Sequence, residues 1–238
     1  MRAPSAILWD WDNTLVDGWA AIEAGLNAAF RAFGLPEWDR ARVLGSVRRS
    51  LRESFPDLFG AEWERARDIF YAEVRARHLA LLTPLPGAEA ALAAAARLAP
   101  QGVVSNKQGP LLRAEAEHLG WAGRFGALVG AGDAVRDKPD PAPIALALAA
   151  IGRSPGPEVW YIGDTALDME AARRAGCRAV LLGEAAHDGG IAAAAPDMCF
   201  RNADLLADAL LSLANGERAV DCVAPAAGNG FRRTATGR

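Results

Sequence analysis

Lysine is nearly absent from this chain of 238 residues. Lys107 and Lys138 are the only lysines among its 26 basic residues, which leaves 24 arginines. Acidic residues number 29, so the net charge at pH 7 is only −3. A weakly acidic chain has no general affinity for nucleic acid or for anionic membranes, and we expect neither as a partner. Because arginine is the usual base here, the two lysines are candidates for a specific task.

Paired cysteines and clustered histidines are missing as well. The three cysteines, Cys177, Cys199 and Cys222, form no C-x-x-C pair and are odd in number. This pattern excludes a disulfide framework and is typical of a reduced, intracellular protein. The three histidines lie far apart and near no cysteine pair, which argues against a structural zinc site. Neither a P-loop nor a G-x-S-x-G nucleophile elbow occurs in the sequence.

Long apolar runs are also lacking. The first apolar run, Ala6–Trp9, is interrupted by Asp10 and Asp12, so we expect no signal peptide. The apolar stretch 85–99 contains charged residues and falls short of the ~20 residues that a membrane helix requires. We therefore expect a cytoplasmic protein with no membrane partner.

Short apolar runs and helical stretches alternate along most of the chain. Runs that are apolar on both faces and alternate with helices are typical of a parallel sheet covered by helices. Helices are predicted from Asp140 to Gly152 and from Leu167 to Ala175. The fold class predicted is therefore α/β, with a doubly wound parallel sheet. Its predicted strands are Ala6–Trp9, Gly102–Val104, Ala127–Val129, Val159–Ile162 and Arg178–Leu182.

Residues 18–83 have a different pattern. Apolar residues at helical spacing predict helices over Trp19–Phe33 and Ala61–Leu82, and no strand-like run lies between Val16 and Pro84. We expect an all-helical insertion here, within a core made of the flanking segments. The last stretch is rich in Gly, Ala, Pro and Arg without periodicity, which predicts a disordered tail. The expected division is a core of 1–17 and 84–214, an insertion of 18–83, and a tail of 215–238.

Polar side chains capable of chemistry follow the predicted strands. In open α/β sheets, ligands bind outside the carboxyl ends of the strands, so these side chains are expected to share one crevice. Taken alone, each motif has a plainer interpretation, such as an acidic turn, an ordinary Ser-Asn turn or a solvated loop cation. The groups are Asp10 and Asp12, then Ser105 with Asn106 and Lys107, then Lys138, and finally Asp164 with Asp168.

Four aspartates in one crevice would repel one another strongly, so a cation is required there. Oxygen ligands without histidine or cysteine favour Mg²⁺ over zinc. One metal ion and one lysine would then supply positive charge for a dianionic phosphate, which is what phosphoryl transfer requires of a protein.

The order of these motifs resembles a known family. Asp10-x-Asp12-x-Thr14, Ser105, Lys138 and Gly163-Asp164-x-x-x-Asp168 are similar to the four motifs of the haloacid dehalogenase-like hydrolase superfamily, over roughly residues 5–210. The helical insertion after the first motif is similar to the type-1 cap of that superfamily. The segments 12–17, 105–107 and 138–141 look most like the phosphoglycolate phosphatase branch. The resemblance implies a Mg²⁺-dependent phosphatase with a doubly wound core and a helical cap.

The resemblance implies roles for the two aspartates of the first motif. Asp10 would be the nucleophile that forms an aspartyl-phosphate, which divides hydrolysis into two easier displacements. Asp12 would protonate the leaving alcohol and then activate water, so its pKa is expected to be raised. Asn13 replaces the usual glycine of the family, and asparagine tolerates the left-handed backbone that this position requires.

The remaining motifs would bind the phosphate and the metal ion. The Ser105 hydroxyl, the Asn106 amide and Lys138 are expected to bind phosphate oxygens. Lys138 is also expected to pair with Asp10, since a compact ammonium can sit between that carboxylate and a phosphate oxygen, where a planar guanidinium would not fit. Thr14 is placed with the phosphate-binding group and is expected to orient its loop. The expected Mg²⁺ ligands are Asp10, the backbone carbonyl of Asp12, Asp164 and, directly or through water, Asp168.

The substrate stays open at this level. The acid at position 12 favours a phosphate ester over carbon–halogen or carbon–phosphorus cleavage, so we expect a small phosphorylated metabolite such as 2-phosphoglycolate. Arg48, Arg49 and Lys107 are candidates for substrate specificity through an anionic group. The segment 45–52 fits a solvated helix face equally well. The protein is expected to act as a monomer or a homodimer.

Two alternatives accompany the phosphatase prediction. A sugar-phosphate phosphomutase of the same superfamily uses the same pair of aspartates. A non-enzymatic phospho-acceptor, like the receiver domains of two-component signalling, also uses Asp, Ser or Thr, Lys and Mg²⁺ on a doubly wound sheet. The insertion 18–83 and the second acidic pair, Asp164 and Asp168, argue against a receiver domain.

Overall fold

The computed structural model describes residues 1–46 and 51–217 of the chain. Eight strands occur in these residues: β1 Ala6–Trp9, β2 Val16–Asp17, β3 Thr83–Pro84, β4 Gln101–Gln108, β5 Ala127–Ala131, β6 Val159–Gly163, β7 Arg178–Leu182 and β8 Met198–Phe200. Six of them form one parallel sheet in the order β5-β4-β1-β6-β7-β8, while β2 and β3 form a separate antiparallel ribbon. The doubly wound α/β fold predicted from the sequence is confirmed.

The direction of winding reverses at β1. From β1 the chain passes to β4 and β5 on one side, and it then returns to β6, β7 and β8 on the other. Such a switch point opens a crevice at the carboxyl ends of the neighbouring strands. The ends of β1, β4 and β6 therefore place their following residues at one edge of the sheet.

Helices cover both faces of the sheet. Ile7 and Trp9 pack in the layer on one face, while Ala6 and Leu8 pack in the layer on the other, as expected for alternating residues of a strand buried on both sides. The ten helices of the described residues are α1 Trp19–Ala32, α2 Arg40–Ser46, α3 Leu51–Phe59, α4 Trp63–Leu81, α5 Ala88–Ala96, α6 Gly109–His118, α7 Ala142–Ala150, α8 Ala166–Arg174, α9 Gly190–Ala194 and α10 Ala203–Ala214. None of these helices is long and apolar enough to cross a membrane.

Helices α1 to α4 occupy the insertion between β2 and β3. Their side chains form a hydrophobic cluster that includes Leu26, Phe30, Phe55 and Phe70 and that also takes in Leu111 of α6. The two long helices agree with those predicted from the sequence. Of the segment 45–52, the first two residues end α2 and the last two begin α3, while residues 47–50 lie outside the described residues.

The β2–β3 ribbon was not expected from the sequence. Val16 pairs with Pro84 and Asp17 pairs with Thr83, so the chain enters and leaves the insertion side by side. The predicted division of the chain into core and insertion stays a prediction, although the ribbon lies where the boundary was placed. Of the predicted tail 215–238, residues 218–238 lie outside the described residues, as do Arg48 and Arg49.

Candidate active site

The loop after β1 carries the first two candidate residues. The Trp11 carbonyl accepts hydrogen bonds from the backbone N–H groups of Leu15 at 2.9 Å and Val16 at 3.2 Å, which turns the loop back on itself. Asn13 has a φ of 62°, the left-handed conformation expected for it. This tight turn places Asp10 and Asp12 at the crevice, and both line its cavity.

Lys138 lies between Asp10 and a second acid. Its Nζ atom is 2.8 Å from Asp10 Oδ1, 2.7 Å from Asp168 Oδ1 and 2.9 Å from the Tyr161 hydroxyl. These three acceptors match the three N–H donors of an ammonium, so a phosphate oxygen would have to replace one of them. Burial lowers the pKa of Lys138, but the charges of Asp10 and Asp168 outweigh it and raise that pKa well above its ordinary value.

Asp10 is buried beside this lysine. Its removal from water raises its pKa from 3.8 to about 6, against the opposing charge of Lys138 and with a smaller contribution from Asp168. The carboxyl group is thus shifted toward neutrality in the protein alone. A further cation near Asp10 would favour its ionised form, which is the form that a nucleophile requires.

Two more aspartates follow β6. Thr14 donates a hydrogen bond to Asp164 Oδ1 at 3.2 Å, and burial raises the pKa of Asp164 well above its ordinary value. Asp168 lies in the first turn of α8, where its Oδ2 accepts from the Thr165 backbone N–H at 3.1 Å and from the Thr165 hydroxyl at 2.5 Å. This capping box fixes the start of the helix and the direction of Asp168.

Asp10, Asp164 and Asp168 form a group that could hold a metal ion. One carboxylate oxygen from each lies within 4.8 Å of the others, and all three residues are buried. The donors are oxygen atoms, which is the ligand type that Mg²⁺ prefers. Both oxygens of Asp168 already accept hydrogen bonds, which favours an indirect role for it.

The residues that end β4 face the same crevice. Ser105 Oγ accepts a hydrogen bond from the Lys107 backbone N–H at 3.2 Å. The Asn106 side chain donates to the Lys138 carbonyl at 3.0 Å and accepts from the Lys138 backbone N–H at 3.0 Å. This reciprocal pair fixes the Lys138 loop against the end of β4.

Asp12 forms an ion pair with the second lysine, Lys107. Lys107 Nζ lies 2.8 Å from Asp12 Oδ1 and 2.6 Å from Glu115 Oε2. Burial raises the pKa of Asp12, against the opposing charge of Lys107 and with support from Glu115. A raised pKa is the direction expected for a residue that donates and accepts a proton near neutral pH.

Residues 7–182 match the family model of haloacid dehalogenase-like hydrolases. The chain belongs to this family. It is 34% identical over 179 residues to an N-acetylmuramic acid 6-phosphate phosphatase from Pseudomonas aeruginosa, a match that covers 73% of this chain and 79% of that protein. It is 32% identical over 189 residues to a phosphoglycolate phosphatase from Chromobacterium violaceum, covering 75% and 84%.

Solved structures agree with this family. A haloacid dehalogenase-like family hydrolase from Streptococcus pneumoniae superposes with a TM-score of 0.74 at 23% identity, over 82% of this chain and 93% of that one. This chain thus shares its fold with a protein of low sequence identity. The resemblance seen in the motifs is confirmed, and this hydrolase is a phosphatase of the phosphoglycolate phosphatase-like branch.

The acids of this phosphatase lie in a cavity of about 740 Å³. Apolar and aromatic side chains of the insertion line the cavity opposite the strand ends, together with two arginines, Arg67 of α4 and Arg113 of α6. Arg67 pairs with Asp68 and Arg113 with Asp133, and both pairs are partly exposed. The insertion side is formed by Trp19, Ile22, Phe70, Tyr71 and Val74.

Most residues predicted for the site of this enzyme line that one cavity. They are Asp10, Asp12, Ser105, Asn106, Lys107, Lys138, Asp164 and Asp168. Thr14 differs, because it is fully buried and donates to Asp164, a position suited to orienting that carboxylate rather than touching phosphate. Lys107 pairs with Asp12 and Glu115. Arg48 and Arg49 lie outside the described residues.

Sequence reasoning missed three buried polar residues of the enzyme. Tyr161 donates to the Val104 carbonyl at 2.8 Å while accepting from Lys138, and His78 Nδ1 lies 2.8 Å from Glu115 Oε1. A signal for Glu115 was available, because it occupies an apolar-face position of α6 beside Leu111 and Leu112. An acid on the buried face of a helix requires partners.

Proposed function

We propose that this phosphatase hydrolyses a small phosphate monoester with Mg²⁺, through a phosphoryl group transferred to Asp10. The observation that carries the proposal is the division of the two aspartates between two lysines. Asp10 is paired with Lys138 beside Asp164 and Asp168, whereas Asp12 is paired with Lys107. Two carboxyl groups two residues apart thus have different surroundings, which suits a nucleophile and a proton carrier.

In the first step, an Asp10 carboxylate oxygen attacks phosphorus, and the bond from phosphorus to the leaving oxygen breaks. Asp12 gives its proton to that oxygen, so an alcohol departs. In the second step, Asp12 takes a proton from water as the water oxygen attacks phosphorus. The acyl-phosphate bond to Asp10 then breaks, which releases phosphate and restores both carboxyl groups.

The residues present fit Mg²⁺. Five buried or partly buried carboxylates, from Asp10, Asp12, Glu115, Asp164 and Asp168, face only two lysines, so the formal charge of the site is −3. Asp10, Asp164 and the backbone carbonyl of Asp12 would hold the ion, with Asp168 fixed behind them. When bound, Mg²⁺ supplies positive charge that offsets the carboxylates and the phosphate.

The phosphate would bind at the ends of β4 and the Lys138 loop. The Ser105 hydroxyl and the Asn106 backbone amide are the proposed donors, and Lys138 supplies the charge. The Asn106 side chain keeps Lys138 in place through its reciprocal hydrogen bonds. Such preorganised donors stabilise charge that develops on the transferring group.

The substrate class proposed is a small phosphorylated carboxylic acid. The names of the two relatives above denote phosphatases for phosphoglycolate and for N-acetylmuramic acid 6-phosphate, both of which are acids. A cavity of about 740 Å³ holds either size of molecule. Arg67 and Arg113 are the cavity cations suited to a carboxylate. The helical insertion would serve as the cap over this substrate, moving about its two connections to the core.

A phosphate-release assay tests the proposal. Purified protein with Mg²⁺ is expected to release phosphate from 2-phosphoglycolate, sugar phosphates, sugar acid phosphates or p-nitrophenyl phosphate, and to lose this activity with EDTA. Asp10→Asn is expected to be inactive, whereas Asp208→Asn, an exposed site on α10, is the matched control. Stoichiometric phosphorylation without turnover would contradict the proposal. Cytoplasmic location and the monomer or homodimer state stay predictions from the sequence.

A further inference from the structure

Lys107 and Glu115 form a buried ion pair beside Asp12 that has no step of its own in the proposed chemistry. The Lys107 side chain is 9% exposed and that of Glu115 is 1% exposed. A buried ion pair is weak evidence for stability, because the loss of hydration offsets much of the attraction between the charges. Lys107 also lines the cavity and contacts Asp12, the proposed proton carrier, while Glu115 holds Lys107 from the other side. Its position therefore points to a task in the reaction.

Glu115 is fixed by donors from three separate segments. Its Oε2 accepts from the Trp11 indole N–H at 2.7 Å and from Lys107 at 2.6 Å, while Oε1 faces His78 Nδ1 at 2.8 Å. These donors come from the loop after β1, from the end of β4 and from α4 of the insertion. A carboxylate held by three donors is a rigid support for the ammonium that it binds.

Asp12 is enclosed at the other end of that ammonium. The same Oδ1 atom that accepts from Lys107 at 2.8 Å also lies against Gly18, where any side chain would collide with it. Trp11, the residue before Asp12, donates its indole N–H to Glu115 as well, so one carboxylate contacts both Trp11 and the lysine that holds Asp12. The direction of the Asp12 carboxyl is therefore set by the Lys107–Glu115 pair.

We propose that Lys107, supported by Glu115, is a positioning residue that holds the Asp12 carboxyl toward the leaving oxygen of the substrate. This inference rests on the proposed function of Asp12 as the proton carrier. It replaces the expectation that Lys107 contacts an anionic group of the substrate. The two roles differ in what they predict, because a positioning role depends on the leaving group and a contact role depends on the substrate's second anion.

A comparison of substrates with different leaving groups tests the positioning role of Lys107. An alkoxide departs only with a proton, whereas p-nitrophenolate departs readily without one. The kcat/KM of a two-step phosphatase reports the steps up to departure of the leaving group, so it records whether that proton is delivered. Glycerol 2-phosphate and p-nitrophenyl phosphate both lack a carboxylate, which removes any contribution from carboxylate binding.

The variants are Lys107→Met and Glu115→Gln, with Glu117→Gln, an exposed site on the same helix, as the matched control. We expect kcat/KM for glycerol 2-phosphate to fall about 100-fold, and that for p-nitrophenyl phosphate to fall less than about 10-fold, since general acid catalysis contributes about 10²–10⁴. An equal fall for both probes, or no fall, would overturn the inference. If Lys107→Met does not fold, Glu115→Gln, which keeps the shape, gives the same comparison.

A double-mutant cycle with Asp12→Asn completes the test. If Lys107 acts through Asp12, adding Lys107→Met to Asp12→Asn leaves the ratio of the two kcat/KM values unchanged. A further change in that ratio would overturn the inference, because Lys107 would then act on its own. Absence of turnover of both probes by the unaltered enzyme would instead refute the proposed function, which separates the two failures.

Discussion

Removal of the Lys138 ammonium is expected to lower both stability and turnover, because the carboxylates around the proposed nucleophile, Asp10, then lose their cation. Lys138→Met leaves Asp10 and Asp168 facing each other without the cation that lies 2.8 Å from one and 2.7 Å from the other. The lysine side chain is 3% exposed, so water does not replace it easily. Lys138→Arg tests shape in addition, because a planar guanidinium has to fit among three acceptors arranged around one nitrogen atom.

The size of the effect follows from burial. Breaking a buried ion pair by removing one partner costs about 3–5 kcal/mol of stability. For a protein of this size, each kcal/mol lowers the melting temperature by about 2–4 °C, so Lys138→Met is expected to lose about 6–20 °C at pH 8. Turnover is expected to fall by at least about 10²-fold in both variants, as when a charged donor to a transition state is removed.

The loss of stability in Lys138→Met depends on pH, and the titration of Asp10 sets the direction of that dependence. The folded-state pKa of Asp10 is raised from 3.8 to about 6, so its ionisation costs stability as the pH rises through that range. Lys138 lowers this pKa, and its removal raises the pKa further and enlarges the cost above about pH 6. The difference between variant and parent is therefore expected to be largest near pH 8 and to shrink toward pH 4.

The assay is thermal unfolding followed by circular dichroism at pH 4, 6 and 8, with phosphate release measured at pH 7.5. Arg174→Lys, at a partly exposed ion pair with Glu170 outside the cavity, serves as a comparison for the general effect of exchanging one base for another. Near-normal turnover of Lys138→Arg would refute the argument about shape. A melting temperature of Lys138→Met that equals the parent's at pH 8 would refute the argument about buried charge.

Three other outcomes are expected. Mg²⁺ at 100 times its Kd should stabilise the protein by about 2.7 kcal/mol at pH 8 and less below pH 6, and Asp164→Asn should abolish this shift in melting temperature. In urea unfolding, His78→Gln should cost about 1–3 kcal/mol through its buried hydrogen bond, while exposed His118→Gln should stay within about 0.5 kcal/mol; equal values would contradict the buried contact. Arg67→Gln should raise KM for 2-phosphoglycolate but not for p-nitrophenyl phosphate, and equal changes would refute a carboxylate contact.

The longer strands were predictable because a strand buried on both faces appears in the sequence as a short, continuous apolar run. β1 and β7 have the predicted bounds, and the acids that follow β1 and β6 could be placed because parallel strands end at one edge. β8 has three residues and β2 and β3 have two each, too short for any periodicity to appear. Such short strands are defined by their neighbours in space, which a sequence does not display.

Some contacts of the proposed site could likewise be predicted from the sequence, while others could not. The pairing of Asp10 with Lys138 was predictable from the family resemblance, because Lys138 lies in the loop beyond the end of β5 at Ala131 and no strand pattern places it. Glu115 could not be joined to its partners, since Trp11 lies 104 residues away and His78 lies 37 residues away on the insertion. These contacts depend on how α4 and α6 pack. The orientation of Thr14 likewise required the distance to Asp164.

The ribbon formed by β2 and β3 holds the two ends of the helical insertion next to each other. Asp17 and Thr83 are paired neighbours, so residues 18–82 leave and re-enter the core at adjacent points, as the loop of a hairpin does. Paired residues of antiparallel strands lie about 4.5–5.5 Å apart, a gap that a two-residue turn can close. The pairing of the six core strands therefore sets no length for that loop, although its side chains contact the core, as His78 does at Glu115. Under the proposed function, a different insertion would change the cavity wall opposite the strand ends while the strands that precede the acids keep their pairing.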